Sequence, residues 1–214
     1  MTRGNPYPNR YKFGKVGKAI DLRKFSEVLN KVDMVHTGSF SKLFVKSLLA
    51  LLYWTGLRKT EAIGAIPHRY KTKKGWKLTE QVKGIVKENI WIKEGFLYVE
   101  AVARKHGKRE GPLAIPLSLP FVNLVVEQWK LTEAGQKVWH ISESYVWELM
   151  KRIEPRLYLH FFRFNRVTKF AGNPKTSIRQ ICAWTGMTAQ TIDSYLERSG
   201  RYSKELGKTM VEER

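Results

Sequence analysis

The sequence has little that would build a disulfide-bonded, metal-binding or membrane-spanning protein. Its single cysteine, Cys182, excludes an internal disulfide and fits a reducing compartment, and its histidines show no metal-ligand spacing. Lys46 and Ser47 interrupt the longest apolar run, which is shorter than the roughly 18 residues of a membrane helix, and the N-terminus lacks the apolar core of a signal peptide. We therefore expect a soluble, cytoplasmic protein without a membrane partner, metal or cofactor.

Acidic residues are scarce as well. The chain has 19 Asp and Glu against 39 Lys and Arg, so its net charge is +20. Hydrophobic residues make up 43% of the sequence and aromatic residues 12%, which is enough for a buried core and excludes a disordered polycation. A polyanionic partner explains the excess of positive charge; the alternative is that the charge only keeps the protein soluble. The composition favours a globular protein that binds nucleic acid.

Hydrophobic periodicity predicts a mainly helical chain. Asp21 is a suitable N-cap for a short amphipathic helix, and Ser39 or Ser41 begins a longer apolar helix that Gly56 ends. Further helices are predicted over residues 119–131, 142–153, 159–171, 176–184 and 188–199.

The middle of the chain carries the strand signals. Short β-prone runs at 90–92, 96–102 and 113–117 are separated by turn residues, which predicts a small three-stranded antiparallel sheet. The basic segment 67–84 is expected to be a loop, which either contacts DNA through residues such as Trp76 or is a solvated insertion. The predicted fold class is α+β, mainly helical.

The predicted domain organisation has three parts. Residues 1–18 are rich in glycine, proline and basic residues, without apolar periodicity, and are expected to form a flexible arm. Residues 19–200 form one domain, and 201–214 a C-terminal tail.

Four side chains suit attack on a phosphodiester: Arg58, His160, Arg163 and Tyr195. Tyrosine supplies a nucleophile, and planar guanidinium groups hold phosphate oxygens in pairs. Each residue alone also has a structural explanation. Arg58 follows a helix C-terminus, and Tyr195 has the spacing of a half-buried aromatic on an amphipathic helix. Tyr202 is a second candidate for the nucleophile.

Taken in order, four motifs resemble the catalytic domain of the tyrosine recombinase, or phage-type integrase, family. They are Leu-Tyr-Trp-Thr-Gly-Leu-Arg-Lys-Thr-Glu at 52–61, Arg-Lys-His-Gly-Lys-Arg at 104–109 before Ile-Pro-Leu at 115–117, His-Phe-Phe-Arg at 160–163, and Tyr195. Arg58 stands where the family has its first catalytic arginine, Glu61 in the adjoining acidic position, and His160 and Arg163 in the His-x-x-Arg box.

The resemblance implies that DNA strands are cleaved and rejoined through a 3′-phosphotyrosyl intermediate, without metal or ATP. Lys105, with Lys108 as the alternative, would protonate the leaving 5′-oxygen. Trp184 stands where the family has a second histidine or a tryptophan that donates to the phosphate, with Met187 as a rival alignment. An indole can donate a hydrogen bond and buttress the tyrosine, but it cannot shuttle protons.

The family resemblance also implies partners. The expected partner is double-stranded DNA in the nucleoid. On that DNA the chain would assemble as a homotetramer, and free in solution it would be a monomer. About 38 residues precede the main helix, too few for the family's amino-terminal core-binding domain, so we expect a catalytic domain alone, either a natural minimal protein or a piece of a longer integrase. The segment 201–214 resembles the family tail that packs on a neighbouring protomer. Cleavage in cis and in trans both remain open.

The function predicted from the sequence is a site-specific DNA recombinase or integrase, typical of a mobile element. A type IB topoisomerase-like relaxase would use similar residues without strand exchange. A non-catalytic DNA-binding regulator would keep the scaffold and form no covalent adduct.

Overall fold

A computed structural model of the chain describes residues 20–67, 69–72, 75–78, 81–101, 109, 111–155 and 157–199. Within these residues the protein is mainly helical, with two small sheets. The helices are α1 Leu22–Met34, α2 Lys42–Thr55, α3 Lys59–Ile63, α4 Val122–Leu131, α5 Glu143–Ile153, α6 Leu159–Ala171, α7 Ile178–Thr185 and α8 Ala189–Ser199. The strands are β1 Arg69–Thr72, β2 Gly75–Leu78, β3 Ile90–Lys93, β4 Phe96–Val99 and β5 Leu113–Pro116. The predicted α+β class is confirmed.

The two N-terminal helices begin and end at capping residues. The side chains of Asp21 and Ser41 each accept a hydrogen bond from the backbone N–H three residues later, at 2.7 and 3.0 Å. Ser41, rather than Ser39, is therefore the N-cap of α2. Gly56 ends α2 in the left-handed conformation, with a φ of 66°, as the sequence predicts.

Helix α2 is the centre of the core. Its sequence is apolar on almost every side, and it packs against α1, α4 and α6. The aromatic ring of Tyr53 stacks on that of Phe25 with centroids 4.1 Å apart. The fully buried Trp139 donates its indole N–H to the Ser47 hydroxyl at 3.0 Å, so this polar pair is satisfied inside the core. Helix α2 thereby fixes the position of the segment that follows it, residues 56–61.

The predicted three-stranded sheet is confirmed. Strands β3, β4 and β5 are antiparallel neighbours in that order, with Leu97 opposite Ile92 on one side and Ile115 on the other. Leu97, Val99 and Ile115 are buried, and the intervening positions are more exposed. One face of the sheet therefore covers the core.

Residues 67–84 were expected to form a loop, but part of this segment is an antiparallel hairpin of β1 and β2. Its register runs from Arg69 opposite Leu78 to Thr72 opposite Gly75. The expectation was wrong here because each strand has only four residues and every side chain of β2 is exposed, so no buried apolar face marks β2 as a strand. Cross-strand backbone hydrogen bonds, and not burial, define it.

Several predictions fall on other parts of the chain. The basic arm at 1–18, the tail at 201–214 with Tyr202, and both candidate lysines, Lys105 and Lys108, lie outside the described residues. The division into arm, domain and tail stays a prediction. In the described part of the chain, no helix has both the length and the apolarity that crossing a bilayer requires.

Candidate functional site

A buried carboxylate, Glu61, lies at the centre of a cluster of three arginines. Its Oε1 accepts a hydrogen bond from Nη1 of Arg58 at 2.7 Å. Its Oε2 lies 3.5 Å from Nη2 of Arg109 and 3.9 Å from Nη1 of Arg163. The Glu61 side chain is fully buried. Three guanidinium groups that share one carboxylate leave this cluster with an excess of positive charge, which suits an anionic ligand.

The local sequence explains how Arg58 and Glu61 are held. Gly56 turns the chain out of α2, and the fully buried Leu57 anchors the turn in the core. Arg58 is the N-cap of α3, and Glu61 is the third residue of that helix. From that position the carboxylate reaches back and accepts the Arg58 backbone N–H at 2.9 Å, as in a capping box. One acidic side chain therefore fixes both ends of Arg58.

Arg163 connects the C-terminal ends of two helices. Its guanidinium donates to the carbonyl oxygen of Gly56 at 3.0 Å and to that of Thr185 at 2.8 Å, connecting the ends of α2 and α7. The side chain is 1% exposed, whereas that of Arg58 is 26% exposed. Arg58 is thus the arginine of this pair that solvent, or a ligand, reaches directly.

His160 lies three residues before Arg163 on α6, so the two side chains project from one face of the helix. His160 is exposed at the surface of the site. Even so, neighbouring protein atoms desolvate the imidazole, and the positive charges of Arg163 and Arg58 add to this effect, so that the pKa of His160 falls below its usual value. Its neutral form, which can accept a proton, is therefore favoured.

Opposing effects set the charge of Glu61. Burial would raise the pKa of its carboxyl group. The hydrogen bond from the Arg58 backbone, the charges of Arg109 and Arg163, and the Arg58 side chain lower it, and the net shift is downward. Glu61 therefore stays ionised and acts as the counterion of the arginines.

The pKa of Arg163 falls to about 10, first because the group is buried and second because Arg58 repels its charge. Glu61 opposes this shift, and so does Tyr195, while Arg109 adds to it. Tyr195 is therefore close enough to Arg163 to influence its charge.

Tyr195 itself lies on the buried face of α8. It is 8% exposed, and its ring packs against Phe164 of α6 with centroids 5.6 Å apart. Ile192, one turn earlier on the same helix, is fully buried in the same small cluster. In this conformation the tyrosine has the burial expected of an aromatic on an amphipathic helix, beside the site and covered by protein.

Trp184 is at the C-terminal end of α7. Its indole N–H donates to the carbonyl oxygen of Thr55 at 2.8 Å, and its ring meets Phe170 edge-on at 5.6 Å. The resemblance implies a phosphate donor here, but in this structure the indole hydrogen is used to fasten α7 to the end of α2. Met187, its rival in the alignment, is partly buried against the cluster around Tyr195.

Arg109 was missed by the sequence analysis. Its side chain is 4% exposed and donates to the carbonyl oxygens of Ala101 at 2.7 Å and Trp184 at 2.9 Å, besides its contact with Glu61. It therefore joins the end of the β3–β5 sheet to α3 and α7. The signal available was its place in the basic run before Ile115, where only the lysines were considered.

Arg166 is a second buried arginine that the sequence analysis did not single out. It donates twice to the carbonyl oxygen of Tyr53, at 2.9 and 3.1 Å, and lies over the ring of Trp54 at 4.7 Å. Burial lowers its pKa to about 10. Arg166 and Trp54 line a cleft of about 500 Å³ beside Trp184. Through its hydrogen bonds to Tyr53, Arg166 supports helix α2.

Among the side chains that the structure describes, no three or more His, Cys, Asp or Glu residues lie close enough together to hold a metal ion. The polar groups around Glu61 are dominated by arginines, which suit phosphate, sulfate or carboxylate ligands.

Two solved structures of a DNA-bound enzyme are similar to this chain. One is the XerH site-specific recombinase bound to a palindromic difH substrate in a post-cleavage complex, with a TM-score of 0.61, 11% identity, and coverage of 91% of this chain and 53% of that one. The other is XerH bound to difH before cleavage, with a TM-score of 0.58, 11% identity, and coverage of 85% and 51%. No family model and no curated protein matches the sequence. The chain spans about half the length of these recombinases and has the fold of a tyrosine recombinase.

Proposed function

We propose that this chain is the catalytic domain of a site-specific DNA recombinase, which cleaves and rejoins strands through a covalent link to Tyr195. The observation that carries the proposal is the grouping of Arg58, Arg109 and Arg163 around Glu61, with His160 on the same helix face as Arg163. The fold shared with XerH supports it, because the solved XerH complexes contain DNA before and after cleavage.

The proposed reaction exchanges one phosphate ester for another. The phenol oxygen of Tyr195 attacks the phosphorus, the bond to the 5′-oxygen breaks, and the strand keeps a 3′-phosphotyrosyl end and a free 5′-hydroxyl. The phenol loses its proton as the new ester bond forms, so this proton needs an acceptor. Neutral His160 is suited to take it, since its pKa is lowered. Lys105 or Lys108 would donate a proton to the leaving oxygen.

Arg58 and Arg163 are proposed to stabilise the phosphate in different ways, because Arg58 is partly exposed and Arg163 is buried. Arg58 is the accessible donor, and we propose that it binds a non-bridging oxygen directly. Arg163 donates to the carbonyl oxygens of Gly56 and Thr185 and is buried, so we propose that it stabilises the phosphate through its charge and not through a direct contact. Fixed positive groups of this kind are each worth about 3 kcal/mol of the barrier or more when one is removed. Glu61 keeps both arginines in place without cancelling their charge.

The burial of Tyr195 adds one requirement. Tyr195 is 8% exposed and offers little surface to a phosphate, so we propose that α8 shifts outward before attack. Helix α8 makes its contacts with α6 and α7. We propose that DNA binding releases it from this position.

A nicked suicide duplex tests the nucleophile. After incubation with DNA that traps the cleaved strand, denaturing electrophoresis should show a covalent protein–DNA adduct with the wild type and with Tyr202→Phe, and none with Tyr195→Phe. An adduct that persists in Tyr195→Phe would overturn the proposal for this residue. Since the charge is supplied by side chains, the adduct should also form in the presence of EDTA.

One observation favours a second candidate, a non-catalytic DNA-binding regulator. Tyr195 is packed against Phe164 as a core residue would be, which is the arrangement expected if the hydroxyl has no chemical role. This candidate predicts that wild-type protein binds duplex DNA and forms no adduct on the suicide substrate under any condition.

A further inference from the structure

The β1–β2 hairpin displays apolar side chains to solvent. Trp76 is 69% exposed and Leu78 65%, and Ile66, just before the hairpin, is 86% exposed. An isolated two-stranded hairpin is only marginally stable in water, and its open edges are a liability. A large indole kept in solvent on such an element is typical of a surface that a partner covers.

The charge of the hairpin indicates which partner. From Pro67 to Thr79 the sequence has no acidic residue. In the same stretch it has five basic ones: Arg69, Lys71, Lys73, Lys74 and Lys77. Arg69 and Lys77, whose side chains the structure describes, are exposed. A second copy of this chain, itself carrying a net charge of +20, would meet this surface with charge of the same sign. A polyanion is the complementary partner.

The base of the hairpin is closed by backbone hydrogen bonds directly after α3. Ala65 and Val82 exchange two backbone hydrogen bonds, at 2.8 and 3.1 Å, directly after α3. Gly64 and Gly84 permit this close approach, because a Cβ on either would lie 2.6 Å from backbone atoms of the opposing chain segment. Strand β1 therefore begins six residues after α3 ends, and the hydrogen-bonded pair of Ala65 and Val82 keeps the hairpin close to that helix.

We propose that the β1–β2 hairpin is a DNA-binding ribbon that contacts the duplex beside the phosphate held at Arg58. This inference rests on the proposed function. The major groove of B-DNA admits a two-stranded β-ribbon. Fully extended, residues 65–72 reach at most about 25 Å, which is roughly seven base pairs. Basic side chains of the ribbon bind phosphates, and Trp76 packs on sugar or base atoms.

A charge-matched pair of variants tests the contact. Arg69→Gln/Lys77→Gln removes two hairpin charges, and Lys93→Gln/Lys130→Gln removes two exposed charges elsewhere. The hairpin variant should bind duplex DNA roughly 10–100-fold more weakly at 0.1 M salt, and the slope of log affinity against log salt should decrease by about 2. The control should keep the wild-type slope. Equal effects in both variants would overturn the proposal.

A photo-cross-link identifies the partner directly. With Trp76 replaced by p-benzoyl-phenylalanine, irradiation of the complex with duplex DNA should join the protein to bases or sugars within about seven base pairs of the cleaved bond. A cross-link to a second protein chain, or none at all, would overturn the proposal. Circular dichroism and the melting temperature show whether each variant is folded.

Failure here is distinguishable from failure of the proposed function. At saturating nicked duplex the control Lys93→Gln/Lys130→Gln should form the Tyr195 adduct as the wild type does, since both lysines are exposed and lie outside the hairpin and the arginine cluster. A wild type that forms no adduct, together with a reduced salt slope in the hairpin variant, would overturn the recombinase and leave the DNA-binding ribbon standing.

Discussion

Among single residues, Glu61 has the largest influence on the site, because it is the shared counterion of Arg58, Arg109 and Arg163. Removing one partner of a buried ion pair typically costs about 3 kcal/mol or more. We expect Glu61→Gln to lower the free energy of unfolding at pH 7 by about that amount. Urea denaturation measures it, and Glu127→Gln, an exposed carboxylate on α4, is the control and should change little.

The same variant has a predictable dependence on pH. The pKa of Glu61 is lowered on folding, so its ionised form stabilises the protein above its ordinary pKa of 4.5, and this stability is lost as the pH falls through the folded value. The difference between wild type and Glu61→Gln should be constant from pH 7 to about 5 and shrink below that. A difference that grows on acidification would contradict the ionised state described here.

His160 gives a prediction for the reaction. Desolvation, with the charges of Arg163 and Arg58, holds its pKa below the usual 6.5, so it stays neutral at neutral pH. The rate of adduct formation should therefore be constant between about pH 8 and 6.5 and decline only under more acidic conditions, where the imidazole gains a proton. Single-turnover measurements with the suicide substrate check this. A decline that begins above pH 7 would show that His160 is not the neutral acceptor.

Some residues of the candidate site could be predicted from the sequence, and others could not. Arg58, Glu61 and Arg163 could be singled out from the sequence, since the first two are close in the chain and the third belongs to a recognisable motif; their catalytic roles stay predictions. Arg109 was missed because it is one of 39 basic residues and, besides Glu61, it binds backbone carbonyls, which have no sequence signature. The burial of Tyr195 depends on the packing of α8 against α6 and could not be derived from spacing alone.

At the C-terminal end of α2, the left-handed backbone conformation of Gly56 positions the carbonyl group that Arg163 binds. Gly56 has a φ of +66°, and a Cβ there would lie 2.9 Å from the Cβ of Arg166. Gly135 has a φ of +74° with nothing within 4 Å. Gly135→Ala should cost about 1 kcal/mol through backbone strain alone.

Gly56→Ala should cost more than Gly135→Ala, because the added methyl group also displaces Arg166 and the carbonyl that Arg163 binds. We expect the melting temperature to drop further and adduct formation to slow at saturating DNA, where Gly135→Ala should retain the wild-type rate. Thermal denaturation and single-turnover kinetics measure the two effects. Equal melting temperatures and rates for the two variants would contradict the role given to this turn.

The elements themselves were largely predictable, with two instructive exceptions. Helix α4 begins at Val122 rather than near residue 119, because Phe121 adopts a φ of 68°, which ends the preceding turn. The β1–β2 hairpin has polar and apolar residues on the same face, so periodicity could not reveal it. Helix α6 lies at 159–171, the range that the sequence predicts.

For the molecule as a whole, the net charge of +20 predicts DNA binding that is strongly salt-dependent. If six to ten phosphates are contacted, affinity should decrease by about 10³–10⁵-fold between 50 and 200 mM salt. Fluorescence anisotropy with a labelled duplex at several salt concentrations measures the slope. An affinity nearly independent of salt would mean that the positive charge serves solubility and not binding.

The last carbonyl groups of α2 have a further consequence for synthesis of the protein. Thr55 and Gly56 are fastened by Trp184 and Arg163, which follow them by 129 and 107 residues. A nascent chain emerging from the ribosome has Arg58 long before it has these anchors. If the proposed function is right, strand cleavage therefore has to wait until the chain has been synthesised at least as far as Trp184.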